Sequence, residues 1–138
     1  MKLHQTSLKL NPYIRGFHLI TSEIEKLLLK YSVRTGTINV FIKHTSASLS
    51  INENADPSVR VDMESFYTDI VDNKSYYLHI DEGSDDMPAH IKSSILGQSL
   101  TIPITNNKLN LGVWQGVYLG EHRDNASARE LVVTIIGE

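Results

Sequence analysis

Apolar and polar residues alternate with period two through much of the chain, and short helical stretches interrupt that alternation. Residues 4–10 set His4, Thr6, Leu8 and Leu10 against Gln5, Ser7 and Lys9, which predicts a half-buried strand. Asn11-Pro12 breaks it. Phe17 to Ile20 then leads into a first helix. Ser22 and Glu25 have the spacing of a capping box, and Ile24, Leu27, Leu28 and Tyr31 recur at helical spacing. Gly36 ends that element. Thr37 to His44 alternates again, with Ile38, Val40, Ile42 and His44 on one face, so His44 continues an inward-facing row.

After His44 the phase inverts, because Ala47, Leu49 and Ile51 are odd-numbered where the preceding apolar positions were even. A one-residue slip turns every following side chain over, and a bulge at Thr45-Ser46 is expected. Asp56-Pro57 has the form of a helix start, with Asp56 at the N-cap and Pro57 at N1, so capping rather than catalysis is its expected role. Val59, Met63, Phe66 and Ile70 supply that second helix with an apolar stripe. Residues 71–87 read as a polar loop that carries Tyr77, His79 and the acidic run DEGSDD, expected to be solvated, with a metal-collecting lid as the lesser alternative. Pro88 is expected to open a third helix, with Ile91 and Ile95 inward and Gly97 as its stop. Its first turns hold His90, Lys92, Ser93 and Ser94, and free amides at a helix start attract anions.

Leu100, Ile102 and Ile104 form another strand, Asn106-Asn107 a turn, and Glu130 to Ile136 a last strand. Between them lies GVWQGVYLGEHR, Gly112 to Arg123, expected as one long strand. One face alternates small and large: Gly112, Trp114, Gly116, Tyr118, Gly120, His122. Glycines on one face of a strand mark a bend or a close approach by another group. The end gathers Glu121, His122 and Arg123. Parity sends His122 and Arg123 to opposite faces, so a shared pocket requires the strand to bend at Gly120-Glu121. Short helices among many alternating strands predict an α+β domain of antiparallel sheets, arranged as a sandwich.

Composition narrows the classes of function. The 138 residues suit one domain. The net charge is −3 with both signs interspersed and no basic run longer than two residues, which argues against a nucleic-acid surface. Cysteine is absent, so there are no disulfides and no thiol chemistry. No apolar run reaches membrane-spanning length, and a soluble cytoplasmic protein is expected.

Three stretches in order, HTSASLSINENADPSVRVDME at 44–64, DDMPAHIKSSILG at 85–97 and GVWQGVYLGEHR at 112–123, resemble the YjbQ-like family, also called secondary thiamine-phosphate synthase enzymes. The resemblance covers essentially the whole chain. The segment after Arg123 follows the pattern more loosely, with Arg129 where a basic residue is expected. The resemblance implies a jelly-roll-like β-sandwich subunit with two to three short helices, assembled as a homotrimer. It also implies a weak ability to make thiamine phosphate from a pyrimidine pyrophosphate and a thiazole phosphate.

The three motifs each carry a histidine: His44, His90 and His122. Histidine is the commonest metal ligand and the natural acid/base near neutral pH, so two arrangements stay open. One is a three-histidine metal site, Zn²⁺ being the natural ion. The other is a metal-free acid/base site, to which Glu121 is a further candidate. Pyrophosphate departure needs positive charge, usually Mg²⁺ with arginine or lysine, and Arg123 and Lys92 are the candidates. Trp114 has the flat face to stack a pyrimidine, while Ser46, Ser48, Asn52, Asn54 and Gln115 offer hydrogen bonds to phosphate or ring atoms. No organic cofactor is expected. Two classes follow: an enzyme acting on a small phosphorylated heterocycle, or a non-catalytic binder of a small phosphorylated ligand or metal. Neither calls for a nucleic acid or a membrane.

Overall fold

Eight strands and three helices follow in the order β1 (Lys2–Lys9), β2 (Gly16–Leu19), α1 (Thr21–Leu28), β3 (Thr35–Ile42), β4 (Ala47–Glu53), α2 (Pro57–Val71), α3 (Asp86–Leu96), β5 (Ser99–Thr105), β6 (Lys108–Leu109), β7 (Gln115–Glu121) and β8 (Glu130–Gly137). The structure is a computed structural model that describes residues 1–138. One antiparallel sheet runs β1-β8-β3-β5-β6 and the other β2-β7-β4. The alternating rows meet between them. Ile38, Val40 and Ile42 of β3, Ile102 and Ile104 of β5, and Leu131, Val133 and Ile135 of β8 pack with Ala47 and Leu49 of β4 and Val117 and Leu119 of β7. α1 adds Ile24, Leu27 and Leu28 to the same core. The expected α+β sandwich is therefore present. No helix is long and apolar enough to cross a membrane.

Several local expectations are corrected. Phe17 to Leu19 belongs to β2, paired with β7, and α1 starts directly after it at Thr21. The capping box does not form, because Ser22 Oγ turns to Glu23 at 3.1 Å and Thr21 Oγ1 accepts from the Val117 N–H at 2.9 Å. The inversion after His44 is a change of sheet rather than a bulge: β3 ends in the five-stranded sheet and β4 begins in the three-stranded one. Both events shift parity by one, so the pattern alone does not separate them. β7 starts at Gln115, three residues later than expected. Gly112 to Trp114 form a turn, closed by the Gln115 N–H to Gly112 C=O bond at 3.0 Å and by Gln115 Oε1 on the Gly112 N–H at 2.7 Å.

The helices show which face of the second sheet is covered. α2 packs on β2 and α3 on β4, on the side away from the apolar core. Asp56 caps α2 as expected, accepting the Ser58 N–H at 2.9 Å. The expected stripe on α2 is only half used: Val59 and Met63 are half-buried, but Phe66 and Ile70 are exposed. α3 begins at Asp86, two residues before Pro88, and its inner face is the opposite of the expected one. Ala89, Lys92 and Ser93 are buried while Ile95 is exposed. Gly97 stops α3 at φ 108°, a conformation that side-chain-bearing residues rarely adopt. The layer under these helices is polar, and its contents come from the even-numbered face of β7.

Candidate active site

β7 and β4 pair so that Ser48 lies opposite Gly120 and Ser50 opposite Tyr118. Side chains of one parity share a face, so Ser48, Tyr118, Gly120 and His122 line the covered layer. A Cβ at Gly120 would run into Ser48 Oγ and come within 2.8 Å of the His122 ring. The bare glycine is what lets Ser48 Oγ and His122 Nε2 meet at 2.8 Å. The close approach anticipated at this strand thus comes from the chain's own side chains. Phe17 packs on the His122 ring at 5.8 Å, centroid to centroid, and the Tyr118 hydroxyl is held by the Glu53 carbonyl.

His122 is 1% exposed, and its pKa is pushed down to about 3 by burial first and then by the nearby charges of Lys92, Arg15 and Arg129. Lys92 is completely buried, with Nζ 2.8 Å from Asp72 Oδ1. The two form a buried ion pair, and the other donors of the Lys92 ammonium are left without a partner. His122 Nδ1 and Ser50 Oγ are likewise buried without a hydrogen-bonded partner. Groups in this condition call for a bridging water, an ion or a chemical role. Arg15 closes the layer with bonds to Glu64 (2.9 Å) and Asp72 (2.6 Å). Burial works against ionising Asp72, but Lys92 and Arg15 hold its pKa below the usual carboxylate value.

Glu121, of the opposite parity, is fully buried and takes Arg129 side-on: Nε to Oε1 at 2.8 Å and NH2 to Oε2 at 2.6 Å. The same NH2 reaches the Ser46 carbonyl at 3.1 Å and Ser46 Oγ at 3.0 Å. Arg129 is thus the structural partner of Glu121. His44 stands beside this pair, its Nε2 accepting the Glu130 N–H at 2.9 Å. Burial and the Arg129 charge lower its pKa, so His44 is neutral with its proton on Nδ1.

At the start of α3, His90 Nδ1 lies 2.9 Å from the Thr45 carbonyl and Nε2 lies 3.1 Å from Asp86 Oδ2. His79 Nε2 reaches the same Asp86 oxygen at 2.6 Å. Arg123 NH1 holds the other oxygen at 2.6 Å, and Arg123 Nε holds Asp85 at 2.8 Å. Asp86 is 2% exposed because these partners wrap it. Burial works to raise its pKa, but His79, His90 and Arg123 keep it below the usual value. The acidic run is therefore not simply solvated, since Asp85 and Asp86 anchor Arg123.

A cavity of about 410 Å³ opens between the end of β3 and α3, lined by His44, Thr45, His90, Ser93, Ser94 and Gln98 among others. It joins two of the three expected histidines, while His122 lies in the separate buried layer. The expected three-histidine metal set is not the one that clusters: His90 meets His79 and Asp86, with His44 and His122 held elsewhere. His122 and Arg123 do not share a pocket either. β7 stays regular through Glu121, so parity separates them as alternation dictates. Lys92 and Arg123, expected on pyrophosphate, are already paired with carboxylates.

The remaining candidates sit at the other end of the β4–β7 pair. Asn52 Oδ1 accepts the Glu53 N–H at 2.8 Å, and Asn54 donates to the Val113 and Gln115 carbonyls at 3.1 and 3.0 Å. Trp114 is 63% exposed on the turn beside them. Six residues of strand separate this end from Ser48 and Glu121, on the order of 20 Å. Arg15 and Asp72 were not singled out from the sequence, His79 reads there as an ordinary loop residue, and Asp86 appears only within the acidic run. The usable signal was the Asp86–His90 spacing of four, which places both on one helix face.

The fold and its polar clefts define a small two-sheet α+β protein with a histidine-lined cavity beside a buried ionic layer. The chain belongs to the family described as UPF0047 protein YjbQ-like, which matches residues 6–138. The UPF0047 protein YjbQ of Salmonella typhimurium is 48% identical over 136 residues, covering 98% of this chain and 99% of that protein. The UPF0047 protein YugU of Bacillus subtilis is 34% identical over 118 residues, covering 86% and 87%. A crystal structure of a YjbQ/UPF0047-family protein from Clostridium acetobutylicum superposes with a TM-score of 0.83 at 37% identity, covering 96% of this chain and 99% of that one. A YbjQ-like protein from Sulfolobus solfataricus, at 24% identity, shares the fold with a TM-score of 0.88 over 99% of both chains.

Proposed function

We propose that the chain is an enzyme acting on a small phosphorylated heterocycle in the cavity between His44 and His90. The reaction to test first is the thiamine-phosphate synthase type. There the thiazole nitrogen forms a bond to the pyrimidine methylene carbon, and pyrophosphate leaves with the electron pair of the broken C–O bond. One observation carries this reading: His44, on the wall of the cavity, is fixed before any ligand arrives. His44 keeps a free Nδ1–H because its Nε2 is committed to Glu130, and Ser94 and Gln98 stand on the same wall. A neutral, oriented N–H aimed at developing charge lowers a barrier without reorganising.

A turnover assay with both substrates and Mg²⁺, beside pyrophosphate affinity by calorimetry, tests it. His44→Ala is expected to lower turnover about 100-fold. A wild type that neither binds pyrophosphate nor turns over would overturn the proposal. Binding without turnover would support the second reading, a non-catalytic binder. That reading is favoured by one fact: Arg123, Arg129 and Lys92 are each neutralised by carboxylates, so none is free to stabilise departing pyrophosphate.

We also propose a homotrimer. Phe66 and Ile70 on α2, Leu78 and Ile80 in the following loop, and Val113 and Trp114 before β7 are exposed apolar residues that a monomer has no reason to display together. A cyclic arrangement brings different patches of one subunit against its neighbour, which could unite the two ends of the β4–β7 pair across an interface. Light scattering should report about three times 15.5 kDa; a monomer at micromolar concentration would sink the idea.

A further inference from the structure

We propose that His79, Asp86 and His90 bind a divalent transition-metal ion of the zinc type. Their ligand atoms all lie within 4.8 Å of one another. Asp86 and His90 are one helical turn apart on α3, and His79 comes over them from the preceding loop. The geometry makes the case for a cation. A carbonyl oxygen only accepts, so the 2.9 Å contact with Thr45 requires a proton on His90 Nδ1. His90 Nε2 lies 3.1 Å from Asp86 Oδ2. That oxygen belongs to a carboxylate whose other oxygen is bonded to Arg123 at 2.6 Å. Ring nitrogens of two histidines thus converge on one buried carboxylate oxygen, a donor set that suits a zinc-type ion. A tetrahedral ion bonded to imidazole nitrogen and carboxylate oxygen at about 2.0–2.2 Å separates those atoms by roughly 3.4 Å, so the 3.1 Å pair of His90 and Asp86 needs to open by only about 0.3 Å.

The surroundings match how such ligands are usually held. The Thr45 carbonyl fixes the tautomer and tilt of His90, and Arg123 orients Asp86, the outer contacts that metal ligands need. The 2.6 Å contact of His79 is a hydrogen bond, so metal uptake displaces the His79 Nε2 proton and widens that pair by about 0.8 Å. His79 is 43% exposed on a loop and can make that shift. Two histidines and a carboxylate leave an open coordination position, next to the cavity that His90 also lines. His44 and His122 are excluded as ligands by their bonds to Glu130 and Ser48. The inference does not depend on the reaction proposed above.

The test is Zn²⁺ titration by calorimetry, with elemental analysis, on full-length protein stripped by chelator and dialysed. Wild type is expected to take one ion per chain. His79→Ala and His90→Gln should each weaken uptake at least tenfold, while His44→Ala binds as wild type does. His79→Ala removes an exposed loop side chain and leaves the core intact, so its result stands even if His90→Gln folds poorly. No saturable uptake by the wild type would overturn the proposal. Unchanged affinity in His79→Ala and His90→Gln, or lost affinity in His44→Ala, would overturn it too.

Discussion

Arg129→Met and Glu121→Gln are each expected to destabilise the protein by about 3–5 kcal/mol, lowering the melting temperature by on the order of 10–20 °C. The cause is the charge left behind. Glu121 is fully buried and Arg129 nearly so, and their two-pronged contact is completed by the Ser46 carbonyl and hydroxyl. Removing one member strands the other without water. Arg129→Lys should not rescue, because lysine lacks the fork that meets both carboxylate oxygens. The double substitution should recover much of the loss, since neither charge then remains buried. Chemical denaturation of the four variants decides it. Single variants within 1 kcal/mol of wild type, or a double variant equal to the sum of the singles, would show that the pair is not an anchor.

The position of the pair explains why it matters to the cavity. Glu121 ends β7 and Arg129 precedes β8, so the contact closes the crossing from one sheet to the other. His122 and Arg123 lie inside that loop. Glu130, whose N–H fixes the His44 tautomer, lies immediately after it. Loosening the pair therefore releases one wall of the cavity.

Much of the fold was legible because one face of each core strand is continuous. Ile38, Val40 and Ile42, or Leu131, Val133 and Ile135, admit one register against an apolar core. Asp56-Pro57 and Gly97 were legible because capping and positive φ are local demands. The inner face of α3 was not. Lysine at a helix position reads as solvated, and Lys92 is buried only because Asp72, at the end of α2, meets it there. That pairing has no local signature. The apolar residues of α2 misled for the converse reason: Phe66 and Ile70 face outward, away from the sandwich.

The candidate residues are grouped in the structure only partly as the sequence pattern suggests. His44 and His90 do share a cavity, but the alternation that located His122 also sent it to the other side of the sheet from the apolar core. By alternation alone Trp114 continues the face of Tyr118 and His122. Parity holds only where pairing holds, and the turn at Gly112 to Trp114 ends the strand before it. His79 lies in a loop without periodicity, so nothing in the pattern could bring it to Asp86.

The same buried layer makes the protein acid-sensitive well above the carboxylate range. His122 titrates near 3 in the folded chain against an ordinary value of 6.5. The groups around it are Ser48 on β4, Lys92 on α3, Asp72 at the end of α2, and Arg15 and Arg129 from the flanking loops; burial and the three cations outweigh Asp72. A folded pKa lower than the unfolded one means that the unfolded chain binds the extra proton between those two values. Stability is therefore whole above pH 6.5 and falls as pH drops toward 3, by up to ~1.4 kcal/mol per unit from this group. His44 shifts in the same direction and adds to the slope. Asp72, Asp85 and Asp86, held low, add their losses only below their own ordinary value of 3.8. His122→Gln should be less stable at neutral pH, because a packed ring is lost. Between pH 6 and 4.5, however, its unfolding free energy should fall with a slope smaller by close to one proton. Denaturant melts at several pH values in that window measure the difference. Parallel slopes for wild type and His122→Gln would mean that the buried imidazole takes up its proton without unfolding the chain.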